Sequence, residues 1–454
     1  MKLNKNIEII CYFLAVLSVS LITVYELSVS IFIFFSLSYL LGFISIIPFY
    51  KKKELIRWYS FVFCISVLFT IALYVVYLNR YDLPYFIGGS DDLTYEEQGK
   101  MIANHLWLYS SSEIQAILNK PWHDSEGYVY VVSLIVRIGE AIGGFHTLMP
   151  RFLNCTGLGL LFPLTYSVVT KIDIKHKEAI KISLITCLLP IMLYTAAHTF
   201  RDIIICLLLV SILLFSLKII QSKTKVSLWY TLLILILILI LSEFRYLQII
   251  AAGGMLIVGW YSKVGEKIPN QVIVMLGIGI VLVGFIYQDY ITKNIEIFFI
   301  AQQALERYGE MLAERDQGLS QKLFTLSFPF NIIGRFSYAA VTPLPIPSTE
   351  IERNFLSLGT IVQYFYYPFI FMGLFYMRKF RKVWPLVVGF LILFFGYVFG
   401  TFTFRHIVQI APFAVILAYL GQRRYSRYKG LTFLVLAIGF LVSSVVYLRL
   451  KGIL

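Results

Sequence analysis

The sequence predicts an all-α protein, a polytopic membrane helical bundle with about 13 transmembrane helices and additional interfacial or re-entrant helices. Apolar residues make up 59% of the 454 residues and charged residues only 14%, whereas soluble proteins have about 45–50% and about 25%. The mean hydropathy is +0.80. A water-soluble fold could not bury this much apolar surface, which excludes a soluble enzyme, a disordered chain and a basic nucleic-acid-binding protein.

Apolar segments long enough to cross a bilayer, at roughly 20 residues each, recur along the whole chain, so we expect a single integral-membrane domain over 1–454. The segment 127–145 is short and contains Arg137 and Glu140, and we expect it to be interfacial or re-entrant because intramembrane charges are expensive. No cleavage site follows the first segment, so we expect it to stay as a transmembrane helix. The predicted crossings are 7–25, 28–49, 58–79, 148–170, 182–198, 203–220, 226–242, 246–262, 271–287, 356–377, 384–402, 405–421 and 430–448.

Basic residues set the predicted orientation. Lys51, Lys52, Lys53 and Arg57 lie in one short loop, and the loop 171–181 contains another basic group. The positive-inside rule places such loops in the cytoplasm, and the later basic loops then alternate correctly. The formal net charge of +14 is therefore a topology signal that suits an anionic inner leaflet. The predicted location is a bacterial cytoplasmic membrane, with the N-terminus inside.

Two long loops are predicted on the outer face, 80–126 and 288–355, and loops of this length are usually functional or disordered. In the first loop, Ser90 or Asp91 is placed to cap an interfacial helix that runs to about Trp107. The acidic pair Asp91 and Asp92 lies at its start. The second loop contains the proline-rich stretch 342–347, which favours extended backbone that lines or covers a cavity.

Polar and charged residues collect in these loops and at the outer ends of the predicted helices. Charges near membrane depth usually mark a pathway or a site, and their gathering on one side is the strongest functional signal in the sequence. The candidate catalytic residues are Asp91 and Asp92. The candidate substrate-binding residues are Tyr95, His123, Asp124, Glu126, Arg151, Arg201, Asp202, Glu243, Arg245, Arg335, Arg405 and His406.

These residue types suit the transfer of a sugar from a lipid-linked phosphate. The lipid tail lies in the bilayer and the phosphate at the interface, where arginine binds phosphate through a bidentate fork. A carboxylate accepts the proton of the acceptor hydroxyl, and arginine or histidine donors stabilise the leaving phosphate. Structural alternatives remain open: either aspartate as a helix cap, Arg201 with Asp202 as an ion pair, and His198 as a structural histidine.

The order of features resembles the GT-C superfamily of membrane glycosyltransferases. The acidic stretch Asp91-Asp92-Leu-Thr-Tyr95 is followed by His123-Asp-Ser-Glu-Gly-Tyr128, by a helix that begins Arg151-Phe-Leu-Asn154, and by a proline-containing span that ends at Tyr194. The resemblance covers roughly 58–220 and implies a polyprenyl-phosphate sugar donor, with Asp91 or Asp92 as the base or acceptor-binding residue. Two departures are that three helices precede the acidic loop instead of one, and that His123-Asp124 replaces a His-Pro pair.

The second half resembles bacterial O-antigen or capsule repeat-unit polymerases, in which a late outer loop is large and outer arginines are important. Arg335, ahead of Pro343 and Pro345, and Arg405 are the matching positions. These polymerases also act on lipid-linked oligosaccharides, so both resemblances imply the same substrate class.

The predicted function is therefore an integral-membrane glycosyltransferase of cell-envelope polysaccharide biosynthesis, acting on the outer face with a polyprenyl-(pyro)phosphate-linked donor. The alternatives are a repeat-unit polymerase or ligase, and a flippase of lipid-linked glycans, which the one-sided charges and the lack of repeated halves disfavour. Membrane lipids and envelope polysaccharide assembly proteins are the expected partners. We expect no nucleic acid and no cofactor, with a divalent cation at the acidic pair as an alternative, and no Walker or dinucleotide motif is present.

Overall fold

The computed structural model describes residues 5–47, 53–85, 91–104, 116, 126–264, 351–377, 380–399 and 404–424, with scattered positions between 430 and 445. These residues form helices and turns, with no strand among them, which agrees with the predicted all-α class. The helices are α1 Lys5–Tyr25, α2 Val29–Ser45, α3 Lys53–Tyr81, α4 Asp91–Asn104, α5 Glu126–Ala141, α6 Leu148–Lys171, α7 His176–Leu188, α8 Pro190–Ala196, α9 Asp202–Gln221, α10 Thr224–Phe244, α11 Gln248–Val264, α12 Ile351–Met377, α13 Trp384–Phe399 and α14 Ile407–Arg424, with 3-10 turns at Arg381–Val383 and Phe404–His406.

Six of the described helical segments are long and apolar enough to cross a membrane, namely α1, α3, α6, α9, α10 and Arg381–Val398. The bent pair of α7 and α8 makes a seventh if it counts as one crossing, and Val29–Ser45 and Tyr366–Met377 are shorter apolar helices. Several candidate membrane-spanning helices are thus present among the described residues, while the total of about 13 crossings stays a prediction. The predicted crossing 271–287 and most of 430–448 lie outside the described residues.

The predicted crossing 182–198 differs from the structure, because it is broken into two helices that meet at an angle of 55°. Leu189 has extended backbone with a ψ of 136°, and Pro190 begins the second helix. Proline has no N–H for the preceding turn and disfavours helical backbone in the residue before it. Helix α12 begins at Ile351, five residues before the predicted crossing 356–377.

One end of the bundle is joined by hydrogen bonds between polar side chains and loops, and we call it the polar end. Tyr74 in α3 donates to Glu26 after α1 at 2.7 Å, and Arg201 before α9 donates to the carbonyl of Phe244 at the end of α10 at 2.9 Å. The ends of α1 and α3 therefore lie together, as do the end of α10 and the start of α9, and Tyr77 in α3 bonds to His198 shortly before α9 at 3.1 Å. The described residues among those predicted for the outer face lie at this end.

The opposite end contains the start of α1 and α3 and the end of α6 and α9, and we call it the basic end. Arg57 in α3 donates to Glu8 in α1 at 2.6 Å, and Gln221 at the end of α9 donates to the carbonyl of Lys171 at 2.7 Å. The described parts of the basic loops that were predicted to be cytoplasmic lie here.

Helices α4 and α5 lie side by side at the polar end and run in the same direction. The rings of Tyr95 and Tyr128 meet edge-on at 5.0 Å. The first turn of α5 touches the end of α10, because a Cβ at Gly127 would lie 2.8 Å from that of Glu243. Its last turn touches the start of α6, because a Cβ at Gly139 would lie 3.0 Å from the sulfur of Met149. Both ends of α5 therefore stay at one end of the bundle, as the prediction of a non-spanning segment requires.

Candidate functional site

Two groups of buried polar side chains occupy the polar end. One surrounds Glu96 in α4, and we call it the Glu96 cluster. The other surrounds Asp202 at the start of α9, and we call it the Asp202 cluster. The loop 197–201 lies between them, since Thr199 bonds to Glu96 and Asp202 follows the loop directly.

The carboxylate of Glu96 is the centre of the first cluster, and its side chain has no exposed surface. It accepts hydrogen bonds from the hydroxyls of Tyr85 at 2.9 Å, Thr147 at 2.5 Å and Thr199 at 3.0 Å. Burial raises the pKa of Glu96 above its ordinary 4.5, while Arg151 and the three hydroxyls oppose that shift. Burial and the charge of Glu96 likewise raise the pKa of Tyr85. One carboxylate thus ties together the loop before α4, the start of α6 and the loop before α9.

Arg151 is the cation of the Glu96 cluster and is completely buried. Its Nη2 atom donates to the carbonyl of Pro84 at 2.5 Å and to Thr147 at 3.3 Å, and its guanidinium lies 5.9 Å from the ring centre of Tyr85. Its Nε and Nη1 atoms have no hydrogen-bond partner among the described residues. Arg151 therefore balances the charge of Glu96 inside the protein, and the structure does not bring it to the surface.

The loop 197–201 is fixed from two sides. Asn154 in α6 donates to the carbonyls of His198 at 2.7 Å and Phe200 at 2.9 Å. The ring of His198 bonds through Nδ1 to the carbonyl of Tyr194 at 2.7 Å and through Nε2 to the hydroxyl of Tyr77 at 3.1 Å. Both ring nitrogens are therefore satisfied inside the protein, which favours the structural alternative for this histidine.

The Asp202 cluster joins α9, α11 and the start of α14 around a carboxylate that is 2% exposed. Gln409 donates to Asp202 Oδ1 at 2.8 Å and accepts from Gln248 at 2.6 Å. Arg245 Nη1 lies 3.6 Å from the same carboxylate oxygen, and its Nη2 donates to His406 Nε2 at 2.8 Å. A guanidinium can only donate hydrogen bonds. His406 Nε2 is therefore the acceptor and carries no proton. Arg405, the residue before His406, is the second guanidinium of the site.

Asp91 and Arg405 form an ion pair at the edge of the Asp202 cluster. The Asp91 side chain is 45% exposed and that of Arg405 20% exposed. The Arg405 guanidinium lies 5.0 Å from the ring centre of Phe200, and its buried Nε has no hydrogen-bond partner among the described residues. Asp92 has no exposed surface and accepts from the backbone N–H of Leu93 at 3.1 Å. Of the acidic pair, Asp91 is therefore the member that an incoming substrate can reach.

The other predicted site residues are placed as follows. Tyr95 is buried against Tyr128 in the interface between α4 and α5. Glu126 begins α5 and is half-buried, and Glu243 is exposed beside Gly127. Arg201 donates to a backbone carbonyl of α10. The structure thus brings Asp91, Asp202, Arg245, Arg405 and His406 together, whereas His123, Asp124 and Arg335 lie outside the described residues.

The sequence-based candidates did not include several polar residues of these clusters, among them Glu96, Thr147, Thr199 and Gln409. Two of them follow a candidate by four positions, Glu96 after Asp92 and Gln409 after Arg405, and residues at this spacing share a helix face. That signal could have identified both. Nothing in the local sequence distinguishes Thr147 or Thr199 from other threonines.

No three of the His, Cys, Asp and Glu side chains in the described ranges converge as metal ligands. The absence of a metal or cofactor therefore stays a prediction. The alternative of a divalent cation at Asp91 and Asp92 is also untested.

A small apolar cavity lies between α12, α13 and α14. Ile407, which lines it, is two residues from Arg405. Aromatic and aliphatic side chains cover most of its wall, among them Tyr366, Tyr367, Ile370, Phe394 and Ile410. The apolar cavity thus begins close in sequence to Arg405.

No protein-family model, curated protein or solved structure matches the chain.

Proposed function

We propose that the chain is a membrane glycosyltransferase of cell-envelope polysaccharide biosynthesis that uses a polyprenyl-(pyro)phosphate-linked sugar or glycan. One observation supports this most directly: a partly exposed carboxylate, Asp91, is paired with Arg405 at the polar end of an apolar helical bundle. The reaction needs a base for a hydroxyl and a cation for a phosphate at one place, and this pair supplies both.

In the proposed reaction, Asp91 accepts the proton of the acceptor hydroxyl as its oxygen attacks the anomeric carbon of the donor sugar. The bond from that carbon to the phosphate oxygen breaks, and the phosphate leaves with the bonding electrons. A carboxylate in hydrogen-bond reach of the attacking hydroxyl contributes roughly 10²–10⁴-fold to such a step. Asp92, which has no exposed surface, holds the first turn of α4 rather than the substrate.

The leaving phosphate is stabilised by Arg405, with Arg245 as the second guanidinium of the site. In the free protein each of these arginines already has a carboxylate partner, Asp91 for Arg405 and Asp202 for Arg245. A phosphate that engages Arg405 competes with Asp91 for the same donors. Donor binding therefore releases Asp91 to accept a proton, which couples the arrival of the phosphate to the availability of the base.

The donor's isoprenoid tail needs an apolar environment next to the phosphate. The cavity that starts at Ile407 provides one, with no charged side chain among its lining residues. Because this cavity is close to Arg405, it supports a lipid-linked donor over a soluble sugar nucleotide. A nucleotide has no apolar chain to contact the cavity wall.

A repeat-unit polymerase or ligase is the second candidate, and the position of Arg405 favours it equally, since joining two lipid-linked glycans needs the same base and the same phosphate cation. The envelope glycan profile of a deletion mutant in the native host separates the two. A missing single sugar is expected for the transferase. Loss of long chains with one repeat retained would instead identify the polymerase, and an unchanged profile would contradict both proposals.

A further inference from the structure

We infer that the basic end contains a second site, which binds the phosphodiester headgroup of an anionic phospholipid. The site is an open pocket of about 370 Å³ at the ends of α6, α12 and α14 and the 3-10 turn before α13. It is at the end of the bundle opposite the Asp91–Arg405 pair, so it is independent of the proposed transferase activity. Its principal lining residues are Tyr376, Phe380, Lys382, Leu420, Arg423 and Arg424.

Three cationic side chains surround the pocket. Arg423 and Arg424, in the last turn of α14, are both exposed. The Arg424 guanidinium lies 5.1 Å from the ring centre of Tyr376, which restricts it to one wall of the pocket. Lys382 comes from a different element, the 3-10 turn before α13, and forms an ion pair with Asp173. Cations from two elements that line one depression suit the binding of a phosphate group.

The floor of the pocket is apolar. Leu420, Met377, Ile172 and Val383 line it and are all less than 9% exposed. A free inorganic anion would contact only the cationic rim and would leave this floor unoccupied. A phospholipid places its phosphate at the rim and its glycerol and first acyl carbons over the floor, which removes apolar surface from water. The combination of rim and floor therefore favours a lipid.

The position of the pocket supports the same ligand. Basic pockets between membrane helices on the cytoplasmic side are typical sites for anionic headgroups. The helices that end here include α6, which is long and apolar enough to cross a membrane. A helix of that length ends near the bilayer surface, where phospholipid phosphates are found.

Asp173 provides an internal test, because it competes with the phosphate for Lys382. Its side chain is 72% exposed and lies in the turn after α6. Replacing Asp173 by Asn removes the competing charge and leaves the lysine available. We therefore expect the variant D173N to bind the lipid more tightly than the wild type, a gain that a loss of folding could not imitate.

The experiment uses the full-length protein in phosphatidylcholine nanodiscs that contain increasing fractions of phosphatidylglycerol. Retained phosphatidylglycerol is counted by native mass spectrometry, and the thermal midpoint is followed in parallel. The double variant R423Q/R424Q is expected to weaken retention by about fivefold for each arginine removed. The control K223Q/K225Q removes two exposed lysines at the same end, away from the pocket, and is expected to retain the lipid as the wild type does.

Three results would overturn the inference. An equal loss of lipid in K223Q/K225Q would show a general attraction between a basic surface and an anionic one. A D173N variant that binds no more tightly than the wild type would remove Lys382 from the site. Inorganic phosphate that displaces the phosphatidylglycerol and raises the thermal midpoint by the same amount would show an anion site without a lipid.

Discussion

Arg405, in the turn before α14, forms an ion pair with Asp91, the first residue of α4. The pair joins the predicted first outer loop to the last third of the chain, so neither half of the sequence contains the site alone. The residues that join the halves are the ones whose substitution is most informative.

Asp91→Asn is expected to reduce glycan transfer by about 10²–10⁴-fold, because the amide cannot accept the hydroxyl proton. Asp92→Asn is expected to keep transfer within about tenfold of the wild type, since its side chain is buried and its remaining oxygen can still accept from Leu93. The measurement is transfer from a polyprenyl-linked donor in proteoliposomes. Glu97→Gln is the control, because Glu97 is exposed on the same helix. Normal turnover in the Asp91 variant would remove this residue from catalysis.

Arg405→Lys keeps the charge but loses the planar fork that binds a phosphate through two N–H groups. We expect the lipid donor to bind about tenfold or more weakly, in line with the loss of one charge-assisted hydrogen bond of about 1.5–3 kcal/mol. Donor affinity is measured by titration of the purified protein in nanodiscs. An affinity equal to that of the wild type would show that Arg405 does not hold the phosphate.

Much of the helical framework could be predicted because apolar length is a local property of the sequence. The segments that became α1, α3, α6, α9 and α10 agree with their predicted bounds to within about five residues. The break at Pro190 was missed because the apolar run continues through it, and hydropathy does not register the missing N–H of proline. Hydropathy also cannot show which helix ends lie beside each other.

The site was predictable only where charge stands out against an apolar background. Arg245, Arg405 and Asp202 were identified in this way, and the structure brings them together. Glu96 was missed although it follows Asp92 by one helical turn. Its burial depends on hydroxyls from Tyr85, Thr147 and Thr199, which come from three separate parts of the chain. Partnerships of this kind are set by tertiary packing and leave no local pattern.

Glu96→Gln is expected to lower the free energy of unfolding by about 1–3 kcal/mol, because the amide replaces an oxygen that accepts hydroxyl hydrogens with an N–H₂ group that cannot accept them. Burial raises the folded-state pKa of Glu96 above 4.5, so between these two values the folded state binds more protons than the unfolded state. The contribution of Glu96 to stability is therefore greatest below pH 4.5 and declines as the pH rises through the raised pKa.

The measurement for this prediction is the thermal midpoint of the wild type and of Glu96→Gln in detergent from pH 4 to pH 8. The advantage of the wild type over the variant is expected to shrink as the pH rises. Thr147→Val, which removes one of the three hydroxyl donors, should destabilise the protein while keeping the pH dependence. A wild-type advantage that grows with pH would show that Glu96 is stabilised as a carboxylate and would reverse the assigned direction of its pKa shift.

The crossing of α12 and α14 depends on the absence of a side chain at Gly421. A Cβ there would overlap the carbonyl oxygen of Phe369 in α12, and neither helix backbone can move without displacing its neighbours. Gly421→Ala is expected to lower the free energy of unfolding by about 1–3 kcal/mol, measured by thermal unfolding in detergent. Gly396→Ala is the matched control, because a Cβ at Gly396 meets nothing within 4 Å and alanine is the better helix former. Equal stability of the two variants would show that α12 and α14 do not cross this closely.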